Sequence, residues 1–249
     1  MSKKSSALAA AGILAAAVVL SGFSIYKDSH QKNSTDGTIT LRMAQTSSQA
    51  GAIGQSMEAF ADRIYDETEG KYKIETYHNG QLGAEIDTIE GCQMGTIDIA
   101  VVNQSTIGNF INDFQALDIP YLITSTEQAD AVFLGDIGTR FLDKLSGVQL
   151  YGLGIWESGF RNLTNSKRDV NSVDDVAGLK IRTMENSYHL AFWKAIGANP
   201  TPMSFSEVYI GLQQHTIDAQ ENPYEVIVSN NLYEQQDYII ETNHVPHLI

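Results

Sequence analysis

Cationic side chains are scarce in this sequence. Sixteen Lys and Arg stand against 30 Asp and Glu, for a formal charge of −14, and only six of the cations are Arg. Such a chain lacks the clustered Lys and Arg that nucleic acid or an anionic membrane surface requires, so neither is expected as a partner. It also repels small anions weakly at long range, so any anion it binds must be gripped by local contacts. Cys92 is the sole cysteine, which excludes an internal disulfide. With no His or Cys partner nearby, it reads as a small core residue. Charged residues make up only 18% of the chain, which indicates a folded rather than a disordered polypeptide. The length suits one large domain or two smaller ones.

Catalytic motifs are missing as well. Gly152-x-Gly154 has Glu157 where a dinucleotide fingerprint needs its third glycine. No Gly-Lys-Ser/Thr phosphate loop and no Gly-x-Ser-x-Gly nucleophile turn occurs. The six His are scattered, and His244 and His247 are separated by Pro246, which argues against a helical metal pair. The sequence therefore implies no cofactor, no metal and no enzyme.

Lys3 and Lys4 precede an apolar run from Ala7 to Leu20, the layout of an export signal. Residues 1–24 are expected to be a signal peptide or an N-terminal anchor. Leu20-Ser21-Gly22 approaches a lipoprotein cleavage site, but Phe23 stands where the lipid-bearing Cys would be. Residues 25–37 read as a polar linker. Strands and helices then alternate. Ile39, Leu41 and Met43 mark a period-two strand, and Ile53, Met57, Phe60 and Ile64 share one helical face. Tyr72–Tyr77 is a second strand, Glu85–Met94 a helix, and Ile97–Val102 an apolar run suited to a parallel sheet. Further strands are expected at Val148–Trp156, Leu179–Met184, Ile217–Gln220 and Tyr238–Thr242, with helices at Ser187–Ile196 and Phe205–Gln213. The polar run Asn162–Asp175 divides the pattern. The expected architecture is α/β with two lobes, 38–158 and 159–249, and a cleft between them.

The segment Gly178–Pro223 is the most informative. Gly178-Leu179-Lys180-Ile181-Arg182 puts an Arg at the tip of a short apolar strand, and Gln220-Glu221-Asn222-Pro223 closes the next strand–helix unit with an amide. A guanidinium presents paired donors that match a carboxylate, a geometry that Lys cannot reproduce.

Several blocks, in order from about Ile39 to His244, resemble the solute-binding receptors of TRAP transporters, the DctP type. They are Gln81–Glu85, Gly95–Asp98, Leu117–Tyr121, Trp156–Arg161, Gly178–Arg182 and Phe205–Tyr209 through Asn222-Pro223. The resemblance implies a periplasmic-binding-protein-like, two-lobed receptor outside the cytoplasmic membrane. Such a receptor closes on an organic acid, a sugar acid or a dicarboxylate, and delivers it to an ion-gradient-driven permease. It also implies roles. Arg182 matches the Arg that forms a two-pronged salt bridge to the ligand carboxylate. Arg161 matches a second cleft Arg, for which an interlobe salt bridge is the rival reading. Asn222 matches a ligand-bonding Asn, against a helix cap. Asn103 falls where strands of such folds meet the crevice. Phe205 matches an aromatic covering the ligand, against core packing. Glu85 matches a position that tunes ligand choice, against a solvated first-turn Glu. Gln45 adds a polar neighbour, and Trp156 either walls the cleft or fills a core.

His215 and Ala219 stand where the family pattern has Gly, so the local turn is expected to differ. The resemblance is cut off after Thr242-Asn243-His244, where family members continue. The chain taken alone is therefore expected to lack C-terminal segments, expose apolar surface and bind weakly. The alternatives are the receptor of an ATP-driven importer and a secreted α/β enzyme.

Overall fold

The computed structural model describes residues 37–249. The expected signal segment and all but the last residue of the expected linker lie outside the described residues. Ile39–Ala44 (β1) pairs in parallel along its whole length with Tyr72–Tyr77 (β2). Ile99–Ala100 (β3) adds to the other side of β1 through Met43 and Ala44. Helix α1 (Ala52–Glu67) crosses from β1 to β2 and buries Ile53, Met57, Ala61 and Ile64. Met57, Ala61 and Ile64 pack with Leu41, Met43, Ile74 and Ile99 into one core. Truncating a fully buried residue such as Met57 to Ala typically costs about 2–5 kcal/mol. Helices α2 (Glu85–Met94) and α3 (Gln104–Ile107) flank β3, and α2 ends at Gly95 with φ 72°, a left-handed position that glycine takes without strain.

A second sheet has the order β7-β6-β8-β5-β9, where β5 is Asn162–Asn165, β6 Lys180–Thr183, β7 Asn199–Pro202, β8 Ala219–Asn222 and β9 Tyr238–Ile240. Parallel pairing joins β6 to β7 and β8, whereas β5 runs antiparallel to both β8 and β9. Helices α6 (Ser187–Ala195), α7 (Phe205–Gln213) and α8 (Tyr224–Ser229) pack around it, and α4 (Thr126–Phe133) with α5 (Asp136–Lys144) belongs to a third apolar cluster. A two-stranded antiparallel ribbon pairs β4 (Glu157–Phe160) with β10 (Pro246–Leu248).

Three sequence expectations are corrected. Val148–Trp156 is not a strand: Leu150 and Ile155 anchor it in the core, while Tyr151 and Leu153 are exposed and Gly152 is pressed against Leu142. Its apolar periodicity is met mainly by packing, and Trp156 alone exchanges a pair of backbone hydrogen bonds, with Ile249. Ile97–Val102 pairs only at Ile99–Ala100. The polar run from Asn162 begins with β5, a wholly buried strand. Its polarity is accommodated by a relay in which Asn222 Nδ2 donates to Gln220 Oε1 at 2.6 Å and Gln220 Nε2 to Thr164 Oγ1 at 2.7 Å. Thr164 Oγ1 then donates to Gln236 Oε1 at 2.8 Å. No helix among the described residues is long and apolar enough to cross a membrane. Leu134, Ile137, Tyr121 and Leu122 are exposed apolar side chains on the α4–α5 side.

Candidate functional site

The carboxyl ends of β1, β3, β6 and β8 converge on one cavity, the place where α/β folds bind ligands. Gln45, Thr46, Ser47, Glu85, Asn103 and Thr106 line it from the first sheet's side. Arg161, Arg182, Ser204, Phe205 and Asn222 line it from the second, and His247 with Ile249 from the ribbon. Arg182, Arg161, Asn222, Asn103, Phe205, Glu85 and Gln45 therefore all line one cavity. Contacts also span the cavity. Asn230 Nδ2 donates to Ser47 Oγ at 2.9 Å, and Ala52 N donates to Glu225 Oε1 at 2.8 Å.

Arg182, the third residue of β6, is buried at 3% exposure. Its Nε and Nη2 both donate to the Met203 carbonyl, at 2.9 and 2.7 Å, which fixes the guanidinium plane without neutralising it. Among the described residues no carboxylate forms an ion pair with it. The Nη1–Nη2 end keeps a parallel pair of N–H donors. Burial, with the nearby Arg161 charge, pulls its pKa down to about 10, so it stays cationic at neutral pH. The Phe205 ring lies 5.9 Å from its central carbon. Phe205 opens α7, lines the cavity and also packs against the Val208 and Leu212 cluster, so both readings of it hold in part.

Arg161 lies between β4 and β5 and is engaged by Glu221, with Nε–Oε2 at 2.5 Å and Nη2–Oε1 at 2.9 Å. Its Nη1 is buried without a partner. Asn103 caps α3 by accepting from Ser105 N at 2.9 Å, which leaves its Nδ2 buried and unpartnered. Asn222 ends β8 and does not cap α8, whose N-cap is Pro223. Glu85 is not a solvated first-turn side chain. It accepts from Asn103 N at 3.2 Å and from the Thr106 hydroxyl. Burial pushes its carboxyl up, and those two donors oppose the shift. Gln45 Nε2 lies 2.8 Å from His78 Nδ1. Trp156 is outside this cavity and 39% exposed, neither wall nor core.

Sequence reasoning missed the polar network behind this wall. Glu221 also meets His244 Nε2 at 3.0 Å and His189 Nδ1 at 3.5 Å. The other nitrogen of His189 faces Asp118 Oδ1 at 3.2 Å, and Asp118 Oδ2 accepts from Asn186 Nδ2 at 2.9 Å. Burial alone would raise the Glu221 carboxyl, yet Arg161, His189 and His244 together hold it well below the ordinary value. Asp118, Arg161 and Glu221 each stood in a block already quoted, but nothing in those blocks linked them to one another. Burial and Asp98 push the half-buried Cys92 thiol up to about 12, which disfavours the thiolate. No group of His, Cys, Asp and Glu among the described residues is arranged to hold a metal.

Two sheet systems meeting at a polar cavity place the chain in the periplasmic-binding-protein-like class of α/β folds. The family follows from direct comparison. The family model for DctP, bacterial extracellular solute-binding protein, family 7, matches residues 43–248, and the chain belongs to that family. A solute-binding protein of Verminephrobacter eiseniae is 39% identical over 206 residues, 83% of this chain and 62% of the relative. The sugar acid binding protein DctPAm of Advenella mimigardefordensis, solved with galactonate, superposes with TM-score 0.83 at 35% identity, covering 85% of this chain and 68% of that one. A TRAP periplasmic solute binding protein of Polaromonas, bound to D-erythronate, gives TM-score 0.81 at 38% identity, covering 84% and 70%. The chain thus spans about three fifths of the length of the curated relative.

Proposed function

We propose that this chain is the ligand-capturing part of an extracytoplasmic solute receptor. It takes a carboxylate-bearing small molecule, a sugar acid or a dicarboxylate, and passes it to the membrane permease subunits of a TRAP transporter. The observation that carries this reading is Arg182: a buried guanidinium, held flat by a backbone carbonyl, on the wall of a cavity and without a carboxylate partner among the described residues. A buried cation in that state is stabilised most by an anion that can take two N–H bonds at once. Arg161 Nη1, Asn103 Nδ2 and Asn222 supply further polar contacts. The lobes 38–158 and 159–249 close on the acid, closure removes water, and the lower dielectric strengthens the ion pair. The relatives that bind galactonate and D-erythronate support an acid ligand. The family description supports a place outside the cytoplasmic membrane, and the receptor reading implies that the ligand is released unchanged.

Titration calorimetry of the chain against a panel of organic acids tests this. Charge-assisted hydrogen bonds contribute about 1.5–3 kcal/mol each. Arg182→Ala, which removes two, is expected to weaken binding on the order of 100-fold or more. Arg182→Lys keeps the charge but loses the fork, and should recover only a small part of the loss. Unchanged affinity in Arg182→Ala, or chemical turnover of the bound acid, would sink the assignment.

A further inference from the structure

Gln45 lines the cavity just past β1, and the side chain that governs it lies outside. Its backbone is fixed on both sides: Gln45 N donates to Tyr77 O at 2.9 Å, and Gly80 N donates to Gln45 O at 3.1 Å. Only the direction of its amide is left open, and the two ends of an amide are opposite in hydrogen bonding. His78, which follows β2, decides that direction. Its ring is buried, does not line the cavity and lies between two partners. Nε2 is 2.8 Å from Glu58 Oε1 on α1, and Nδ1 is 2.8 Å from Gln45 Nε2.

Glu58 settles which nitrogen of His78 carries the proton. The same Oε1 also accepts from Thr76 Oγ1 at 2.8 Å and from Gln49 Nε2 at 2.9 Å. Burial opposes ionisation, but the hydrogen bonds from His78, Thr76 and Gln49 outweigh it and hold the Glu58 carboxyl below the ordinary value. An ionised carboxylate only accepts, so the neutral imidazole must carry its proton on Nε2 and keep Nδ1 as an acceptor. Nδ1 then requires an N–H from Gln45. The same amide nitrogen also donates to Ser48 O at 3.4 Å. Gln45 Oε1 is left without a protein donor among the described residues, on a side chain of the cavity wall. The opposite His78 tautomer, or a doubly protonated ring, would put an N–H on Nδ1 and force the amide to turn round. Among the described residues no titratable side chain other than Glu58 bonds the ring.

We propose that His78 and Glu58 are positioning residues for ligand capture: the carboxylate holds one tautomer of the ring, and the ring holds the Gln45 oxygen toward the ligand as an acceptor. The inference rests on the reading of this cavity as the receptor's ligand site.

Long-range nitrogen–proton NMR of the full chain at neutral pH should show His78 protonated at Nε2 with a bare Nδ1. Calorimetry uses the tighter-binding of D-galactonate and D-gluconate, whose hydroxyls can donate to Gln45. His78→Leu removes both ring bonds and should weaken binding roughly 3- to 10-fold, the scale of one hydrogen bond. His78→Gln, with an oxygen for Gln45 and a nitrogen for Glu58, should restore most of that loss. Glu58→Gln alters no residue on the cavity wall, yet should move the His78 proton toward Nδ1 and weaken binding by a similar factor. On acidification the affinity of the parent should fall as NMR reports a second proton on His78, and more steeply than that of His78→Gln. A proton found on Nδ1, an unchanged affinity in folded His78→Leu, or superimposable pH profiles for the parent and His78→Gln would overturn the proposal. Should His78→Leu misfold by circular dichroism, the tautomer and the two pH profiles decide. Arg182→Ala separates the two levels. Binding that needs Arg182 but ignores His78→Leu sinks only this inference. No binding of either acid sinks the receptor reading and this inference together.

Discussion

Glu221 holds Arg161 along its Nε–Nη2 edge, with both residues at 1% exposure or less, and Nη1 is left over as a buried donor without a partner. The pair joins β8 to the junction of β4 and β5, so it braces the cavity from behind while contributing one N–H to its wall. Removing one member leaves the other charge uncompensated in the interior, which typically costs about 3–5 kcal/mol. Glu221→Gln is therefore expected to lower the urea midpoint sharply. The Glu221 carboxyl is held well below its usual 4.5 against the opposing effect of burial. A depressed carboxyl contributes stability that is present above its unfolded value and lost as pH falls through the folded one. Urea midpoints of the unaltered chain should thus fall steeply below pH 4.5, and those of Glu221→Gln less steeply. Parallel acid profiles would contradict this account.

Three buried imidazoles near the Arg161–Glu221 pair should titrate apart. His189 has a carboxylate at each ring nitrogen, Asp118 at 3.2 Å and Glu221 at 3.5 Å. Only the imidazolium can donate to both. Burial lowers its pKa, but the two carboxylates outweigh burial and raise it above 6.5. Burial wins at His244, which is lowered, and at His247, which is held well below the ordinary value. Long-range nitrogen–proton NMR should show His189 titrating above pH 6.5 and the other two below it. The stability that His189 contributes is fully present below pH 6.5 and is lost as pH rises through its folded value. His189→Gln should remove that alkaline loss.

Gly51 permits the contact that spans the cavity mouth. A Cβ there would lie 2.2 Å from Glu225 Oε1 and 2.9 Å from Ser229 Oγ. Glu225 meanwhile accepts from Ala52 N at 2.8 Å, at the N-terminus of α1, where a negative charge is favoured. Gly51→Ala should push the Glu225 carboxylate off Ala52 N and crowd the Ser229 side chain, loosening this contact. Because the clash falls between the lobes and not within either core, thermal stability is expected to change little. Ligand affinity should drop on the order of 10-fold, as the lost cross-cavity hydrogen bonds imply. Small-angle scattering with ligand present should report a more open particle.

What the sequence made legible follows from the range of the interactions involved. The face of α1 and the helix α7 could be read from spacing, because helical neighbours lie three or four residues apart. Arg182 and Asn222 could be assigned to one cavity wall because each lies at or beside the carboxyl end of a short strand in an ordered block. The Arg161, Glu221, His244, His189 and Asp118 network was not, since its members come from distant segments and no local period marks them. Strand β5 was obscured, and β8 was expected two residues early, for a related reason. Their Asn, Thr, Gln and Glu look like surface residues until the side-chain relay that satisfies them is seen. Strand β7 hid behind Pro200 and Pro202, which an edge strand tolerates because its outer side needs no ladder donor.

The departure at His215 has a local meaning that can be measured. Helix α7 closes with a double hydrogen-bonded turn: His215 N donates to Leu212 O and Thr216 N to Gly211 O, both at 3.0 Å. That pattern requires a left-handed residue just past the C-cap, and His215 has φ 56°. A residue with a Cβ is strained there by roughly 1 kcal/mol, whereas glycine is not. Ala219, the second departure, needs no such allowance, since it lies in β8 opposite Asn165 and Ile181. His215 is exposed and outside the cavity, so replacing it leaves the ligand wall untouched. His215→Gly should raise stability by up to about 1 kcal/mol, less the greater freedom glycine adds to the unfolded chain. His215→Val, β-branched at a positive φ, should lower it by about as much or more. Urea denaturation of the two variants should place them on opposite sides of the parent. If both fell on the same side, backbone strain at His215 would not be what distinguishes this turn.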